Sequence, residues 1–246
     1  MDGRIEAGFR IQIRRLVAWT RHADVEGEVE RLVERARLLT QAEGLGLPRA
    51  LTRVYTELRE QAARPAGAAA ADERPPAAGW RPPWHRFDAA HPPRFLCDPS
   101  TAGLGRWLRA AGYEAAADAS IPGHRLPEEA LARGLALLTT EAEVLERRIV
   151  ANGSLAVAWV PSALTMREQL ALVMGDLALG LREPRCMVCG GALVAREKEA
   201  VRARIPPRTA LWKDEYYVCS GCDRLFWQGT HWERIAPALA AAAQGA

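Results

Sequence analysis

Two pairs of cysteines constrain this chain more than any other feature. Cys186-Met187-Val188-Cys189 is followed, after 29 residues, by Cys219-Ser220-Gly221-Cys222. Two residues between thiolates let both sulfurs reach one ion from a tight turn, and two such knuckles complete a tetrahedral site of four sulfurs. Gly190, Gly191 and Gly221 suit the knuckle turns. Softness and geometry favour zinc, with iron as the alternative and a redox-active pair as the competing reading. A closed four-thiolate site has no open coordination position, so the expected ion is structural. It would supply folding energy directly to a region with little apolar core.

Only one other cysteine, Cys97, occurs in the 246 residues. With no apolar leader at the start, cysteine usage suggests metal binding in a reducing cytoplasm rather than a disulfide framework. No apolar run approaches the ~18 residues of a membrane span. The length allows one large domain or two modest ones. The 33 basic and 30 acidic residues leave a net charge of +3, too mild to imply nucleic-acid binding by charge alone.

Composition divides the chain. Residues 1–62 show helical spacing, with Val29, Leu32, Val33, Leu38 and Leu39 among charged neighbours, and predict a helical N-terminal extension. It reads as a hairpin packing on something, or as a module for a protein partner. Residues 63–93 hold seven of the 16 prolines and predict a linker. Trp80, Trp84 and Phe87 are unusual in a linker and suggest docking or a short recognition segment.

Residues 94–182 alternate short apolar strands with helices. Strands are expected at Arg94–Asp98, Leu135–Thr139 and Leu155–Val160. Helices are expected at Gly103–Gly112, Pro127–Arg133, Glu141–Val150 and Thr165–Leu179, the last opened by a Thr165/Glu168 capping box. This pattern implies a parallel sheet and the α/β class. Residues 183–235 hold the cysteine pairs and aromatic strands at Glu215–Val218 and Leu225–Trp227. The tail, 236–246, is alanine-rich and is expected to fray.

Two acids stand where ligands bind in open α/β sheets, outside the carboxyl ends of strands. Asp98 ends the first strand and Glu141 follows the second, with Glu143 as a third candidate. Such acids can hold Mg²⁺ or Mn²⁺ for phosphodiester cleavage. The competing reading is a capping box, Thr140-x-x-Glu143, which would explain both glutamates without chemistry. Arg106 and Arg109, three apart on one helix, share a face that could meet phosphate. Arg196, Lys198, Arg202, Arg204 and Arg208 form a basic stretch in the cysteine region, interleaved with Glu197 and Glu199. His231 and Arg234 suggest a further anion contact.

The order of these motifs resembles a known family: bacterial and archaeal PIN-like ribonuclease domains fused to a C-terminal zinc ribbon. The family is named for the C-terminal part of the nematode mutator-seven exonuclease. The matching pieces are Arg94–Asp98 (RFLCD), the Gly-x-x-Arg-Trp-Leu-Arg run within Gly103–Tyr113, Leu137–Thr139 (LLT), the two cysteine pairs and Phe226–Ile235 (FWQGTHWERI). The resemblance implies a PIN-like sheet, divalent metal on acidic residues, and RNA as substrate. Asp98 falls on the family's first acid. The family's acid before the middle helix is missing from Gly123-His124-Arg125-Leu126, and its Thr-Arg-Asp is Thr139-Thr140-Glu141. The resemblance therefore implies a depleted acidic site, for which Glu114 and Asp118 are the other candidates nearby. Two functions remain open: slow metal-dependent RNA cleavage, and a non-catalytic module that binds RNA or protein.

Overall fold

The computed structural model describes residues 2–64, 82 and 86–244. Trp80 and Trp84 lie outside the described residues. Phe87 packs, half-buried, on the main core, which favours docking for that residue.

Three helices form the N-terminal extension: α1 (Asp2–Trp19), α2 (Val25–Glu43) and α3 (Leu47–Ala63). The sequence reading of a hairpin missed one helix. Asp24 caps α2 by accepting from the Gly27 N–H, and Gly44 ends it with a φ of 67°, a left-handed stop that suits glycine. Surface ion pairs such as Arg14–Glu26 (2.7 Å) and Arg37–Glu6 (3.0 Å) link the helices. Exposed pairs of this kind contribute about 0–1 kcal/mol each. The apolar stripe does most of the work: Phe9, Ile13, Val29, Val33, Leu51 and Val54 are all buried. That stripe is used inside the molecule, except for Leu38, which is 56% exposed.

The α/β region runs β1 (Arg94–Cys97), α4 (Ala102–Ala110), β2 (Glu114–Ala117), α5 (Leu126–Ala132), β3 (Ala136–Thr139), α6 (Arg148–Ala151), β4 (Val157–Trp159) and α7 (Met166–Asp176). The four strands form one parallel sheet in the order β2-β1-β3-β4. The α/β class holds. Strand β2 is absent from the sequence reading because its residues, Glu-Ala-Ala-Ala, have low strand propensity; pairing with β1 along its whole length overrides that. The helix expected over Glu141–Val150 is a 3-10 segment, Ala142–Glu146, followed by the single-turn α6. The Thr165/Glu168 capping box is present in both directions.

The cysteine region contains β5 (Leu193–Arg196), α8 (Lys198–Val201), α9 (Pro207–Ala210), β6 (Tyr216–Cys219) and β7 (Leu225–Trp227). Its strands form an antiparallel sheet in the order β5-β6-β7. Its own core is small, centred on Val201, Ile205, Tyr216 and Val218. The expected fraying tail is instead helix α10 (Thr230–Gln244). Ile235, Leu239 and Ala242 recur at helical spacing and are buried in the main core, which is why this alanine-rich segment is ordered.

The extension and the α/β region share one apolar core. A buried ion pair joins them. Arg59 of α3 and Asp176 of α7 are each 5% exposed, with Nη1 and Oδ1 3.3 Å apart. Gly175 makes the room, since a Cβ there would lie 2.0 Å from the Arg59 guanidinium. Burial pushes the Asp176 carboxyl up to about 6, against the lowering effects of Arg59 and of a hydrogen bond with Tyr55. The folded value lies above the unfolded one, so the folded state takes up this proton first. The contribution is fully present below about pH 4 and is lost as pH rises through about 6.

Removing one partner from a buried pair costs about 3–5 kcal/mol. Asp176→Ala should therefore lower unfolding stability by about that amount, read by urea denaturation. Asp176→Asn carries no titrating proton. Between pH 7 and pH 5 the wild type should gain about 1 kcal/mol on that variant. A difference that is constant over this range would contradict the assignment.

Candidate functional site

The four cysteine sulfurs converge. One ligand atom from each of Cys186, Cys189, Cys219 and Cys222 lies within 4.8 Å of the other three. The Cys186–Cys222 and Cys189–Cys219 sulfurs are 3.7 and 3.3 Å apart. Tetrahedral zinc with ~2.3 Å bonds would set its sulfurs about 3.8 Å apart. The knuckles supply further support for thiolates, because the N–H groups of Gly191 and Gly221 point to the sulfurs of Cys189 and Cys219, each at 3.4 Å. At Cys219 burial works to raise the thiol, but backbone N–H groups of Cys222 and Gly221 oppose it and hold the thiol down at about 6. A Cβ at Gly191 would stand 2.8 Å from the Cys219 sulfur, so glycine is required there. The donor set suits zinc.

Arg109, expected on a phosphate-binding face, is committed elsewhere. Its Nε donates to the Ala115 carbonyl at 2.6 Å, and Nη1 donates to the carbonyls of Met187 and Val188, both at 3.0 Å. It ties α4 and β2 to the first cysteine knuckle. Its helix neighbour Arg106 is exposed and has no such bonds among the described residues. His231 and Arg234 are exposed near the start of α10.

At the other end of the sheet, Asp98, Glu141 and Glu143 line one cleft of about 500 Å³, together with Ser100, His124, Thr139 and Arg147. Strands β1 and β3 are parallel neighbours, so their carboxyl ends lie side by side. Asp98 is 5% exposed, and its carboxylate is heavily used. Oδ1 accepts from the Ser100 hydroxyl (2.6 Å) and the Thr101 N–H (2.9 Å), and Oδ2 accepts from the Thr140 N–H (3.0 Å). The residue caps a 3-10 turn, Pro99–Thr101, and joins the loops after β1 and β3.

The Thr140/Glu143 capping box does not form. The Thr140 hydroxyl lies 2.8 Å from that of Ser100, and Glu141 takes the cap position without a side-chain bond. The carboxylates of Glu141 and Glu143 are exposed, so the cap does not account for them. Among the described residues, however, the cysteines are the one group of three or more possible ligands that converges. The three acids share a cleft without forming a closed cage. One free lone pair on Asp98 and the glutamates suit a hydrated ion, since Mg²⁺ keeps several waters.

Glu114 and Asp118 do not complete this site. Glu114 pairs with Arg185 at 3.2 Å. Asp118 is held by Ser120 and Arg133. His124 and Arg147 are the cleft residues that sequence reasoning missed. The one signal for His124 was its place in Gly123–Leu126, where the resemblance implies an acid. Arg147, which pairs with Glu128 at 2.8 Å, had none.

A second cleft, of about 510 Å³, adjoins the first. Thr140, Glu141 and Glu143 face it from the loop after β3, Trp159 faces it from β4, and Arg4 and Ile5 from α1. On the cysteine region, Leu211 and Trp212 are 75% and 81% exposed. No helix among the described residues is long and apolar enough to cross a membrane.

Comparison with known proteins gives one finding: the family model described as the Mut7-C RNAse domain matches residues 93–239. No curated protein and no solved structure matches the chain.

Two substitutions test the cysteine region. Cys189→Ser should release the metal and unfold the segment around β5–β7. Helix α10 should stay in place, because its apolar face belongs to the main core. Elemental analysis should find about one zinc per native chain, and less than half of that would contradict the site. Arg109→Ala should cost about 1–3 kcal/mol through its lost charged hydrogen bonds, read by thermal unfolding. A lowered RNA affinity with unchanged stability would instead return Arg109 to the phosphate-binding face.

Proposed function

The chain belongs to the Mut7-C RNAse domain family, and from that premise we propose a slow, divalent-metal-dependent RNA nuclease worked by Asp98 and Glu141. One observation carries this reading: acids from the loops after β1 and β3 line a single cleft at the carboxyl ends of the strands. Asp98 Oδ2 and Glu141 would hold one hydrated Mg²⁺ or Mn²⁺, which supplies charge neutralisation and water activation at a phosphodiester. Glu143 is the third acid within the cleft. His124 and Arg147 line the same cleft and are its donors to the RNA backbone. Arg106, His231 and Arg234 extend the RNA contact as exposed donors. The four thiolates hold a structural zinc ion, and cysteines kept as thiolates suit a reducing cytoplasm.

Cleavage is slow in this reading because the acids are few. Clamping both the attacking and leaving oxygens takes two ions and several convergent carboxylates. Here Asp98 already serves its own loops with three hydrogen bonds. That same observation favours a second reading, RNA binding without cleavage.

The variants separate these readings. Glu141 is exposed and makes no hydrogen bond through its carboxylate in this loop. Glu141→Gln should abolish Mn²⁺-dependent cleavage of labelled RNA at unchanged melting temperature. Asp98→Asn should lose cleavage and also stability, by about 1–3 kcal/mol, because an amide nitrogen placed at Oδ2 would face the Thr140 N–H. Retained RNA binding with no cleavage by the wild type in millimolar Mn²⁺ would establish the second reading. Rapid cleavage by Glu141→Gln would place the active site elsewhere.

A further inference from the structure

Helix α1 lies outside the family match, which covers residues 93–239, yet it forms part of the wall beside the acidic cleft. We infer that the N-terminal extension is part of the RNA-binding groove, with Arg4 holding a backbone phosphate next to the acidic cleft. This inference rests on the RNA-directed reading above.

Three observations lead to it. The first is continuity. Glu141 and Glu143 line both clefts, so a strand lying in the first is led past these residues into the second. The second is charge. To the second cleft the α/β region contributes two carboxylates and no cation, while α1 contributes Arg4. A phosphodiester passing two carboxylates is repelled unless a cation compensates. Arg4 is exposed in that cleft, and neither glutamate is within ion-pair distance of it. Its guanidinium has the planar donor fork that matches phosphate oxygens.

The third observation is rigidity. Arg4 stands one turn before Gly8 and Phe9, which pack on Trp159. The Phe9 and Trp159 rings meet edge-to-face with centroids 5.2 Å apart. Gly8 is needed there, since a Cβ would lie 2.4 Å from the indole ring. The same indole donates through Nε1 to the Thr140 carbonyl at 3.1 Å. Further along α1, Arg15 donates to the Leu145 carbonyl at 2.5 Å. Helix α1 is thus bound to both ends of the segment that carries Glu141 and Glu143, and the backbone of Arg4 is held at a fixed place relative to them. A solvated arginine on a mobile arm would have none of these attachments.

The test is equilibrium binding of labelled single-stranded RNA to the full zinc-loaded chain, over a series of salt concentrations, without Mn²⁺ so that cleavage does not intrude. Arg4→Ala should weaken binding roughly tenfold at low salt and reduce the slope of log affinity against log salt by about 0.7, the loss of one phosphate contact to a single strand. Arg4→Lys should restore the slope and part of the affinity. Melting temperature and zinc content should not change in either variant. If the wild type binds RNA and Arg4→Ala binds equally well with the same slope, this inference fails and the RNA-directed reading survives. If the wild type binds no RNA at any salt, both fail.

Discussion

The carboxylate of Asp98 holds the loops after β1 and β3 together, and the shape of the cleft follows from it. Its two oxygens accept from Ser100, Thr101 and Thr140, so the loops leaving adjacent parallel strands are fixed to each other at their first residues. Thr101 adds a hydroxyl bond to the Leu138 carbonyl at 2.9 Å. A buried carboxylate is tolerated only when it is well hydrogen-bonded. Meeting that condition with groups from two loops makes the acid a structural tie as well as a candidate ligand. Glu141 is placed by this tie and stays exposed, so one acid of the pair builds the cleft and the other presents its carboxylate to solvent within it.

Much of this was legible in the sequence because it is local. Buried parallel strands read as short apolar runs, and β1, β3 and β4 all do so. The Thr165/Glu168 cap and the two cysteine knuckles depend on neighbours three residues apart or closer. What was not legible depends on distant partners. Strand β2 is a strand because β1 lies beside it. Thr140 does not cap Glu143 because Ser100, forty positions away, takes its hydroxyl. Arg109 looked like a surface cation from its helix, but the carbonyls of Met187 and Val188 fold back onto it. Helix α10 looked like a loose tail because alanine says little about burial until Leu239 and Ala242 meet the main core.

The helical extension shows the same dependence. Its apolar stripe reads equally well as a partner-binding face, and only the structure shows α2 turned inward onto α1 and α3, which in turn pack on the α/β region. The buried Arg59–Asp176 pair fixes the orientation of that contact. A purely apolar contact would be less selective in angle, whereas a buried charge pair with one glycine-sized gap admits few alternatives. The position of α1 beside Trp159, and hence beside the acidic loop, follows from this docking.

The cysteine region enters through Arg185, whose N–H bonds the Arg109 carbonyl at 2.9 Å, and leaves through α10, whose far end lies in the main core. It is therefore a loop anchored at both ends. A free zinc finger that loses its ion diffuses into an open ensemble, and its ligands must find one another again. Here the entropy of bringing the two cysteine pairs together is partly met in advance by the rest of the fold. Loss of an ion from the four cysteines would then be a local event within a molecule whose main core stays folded.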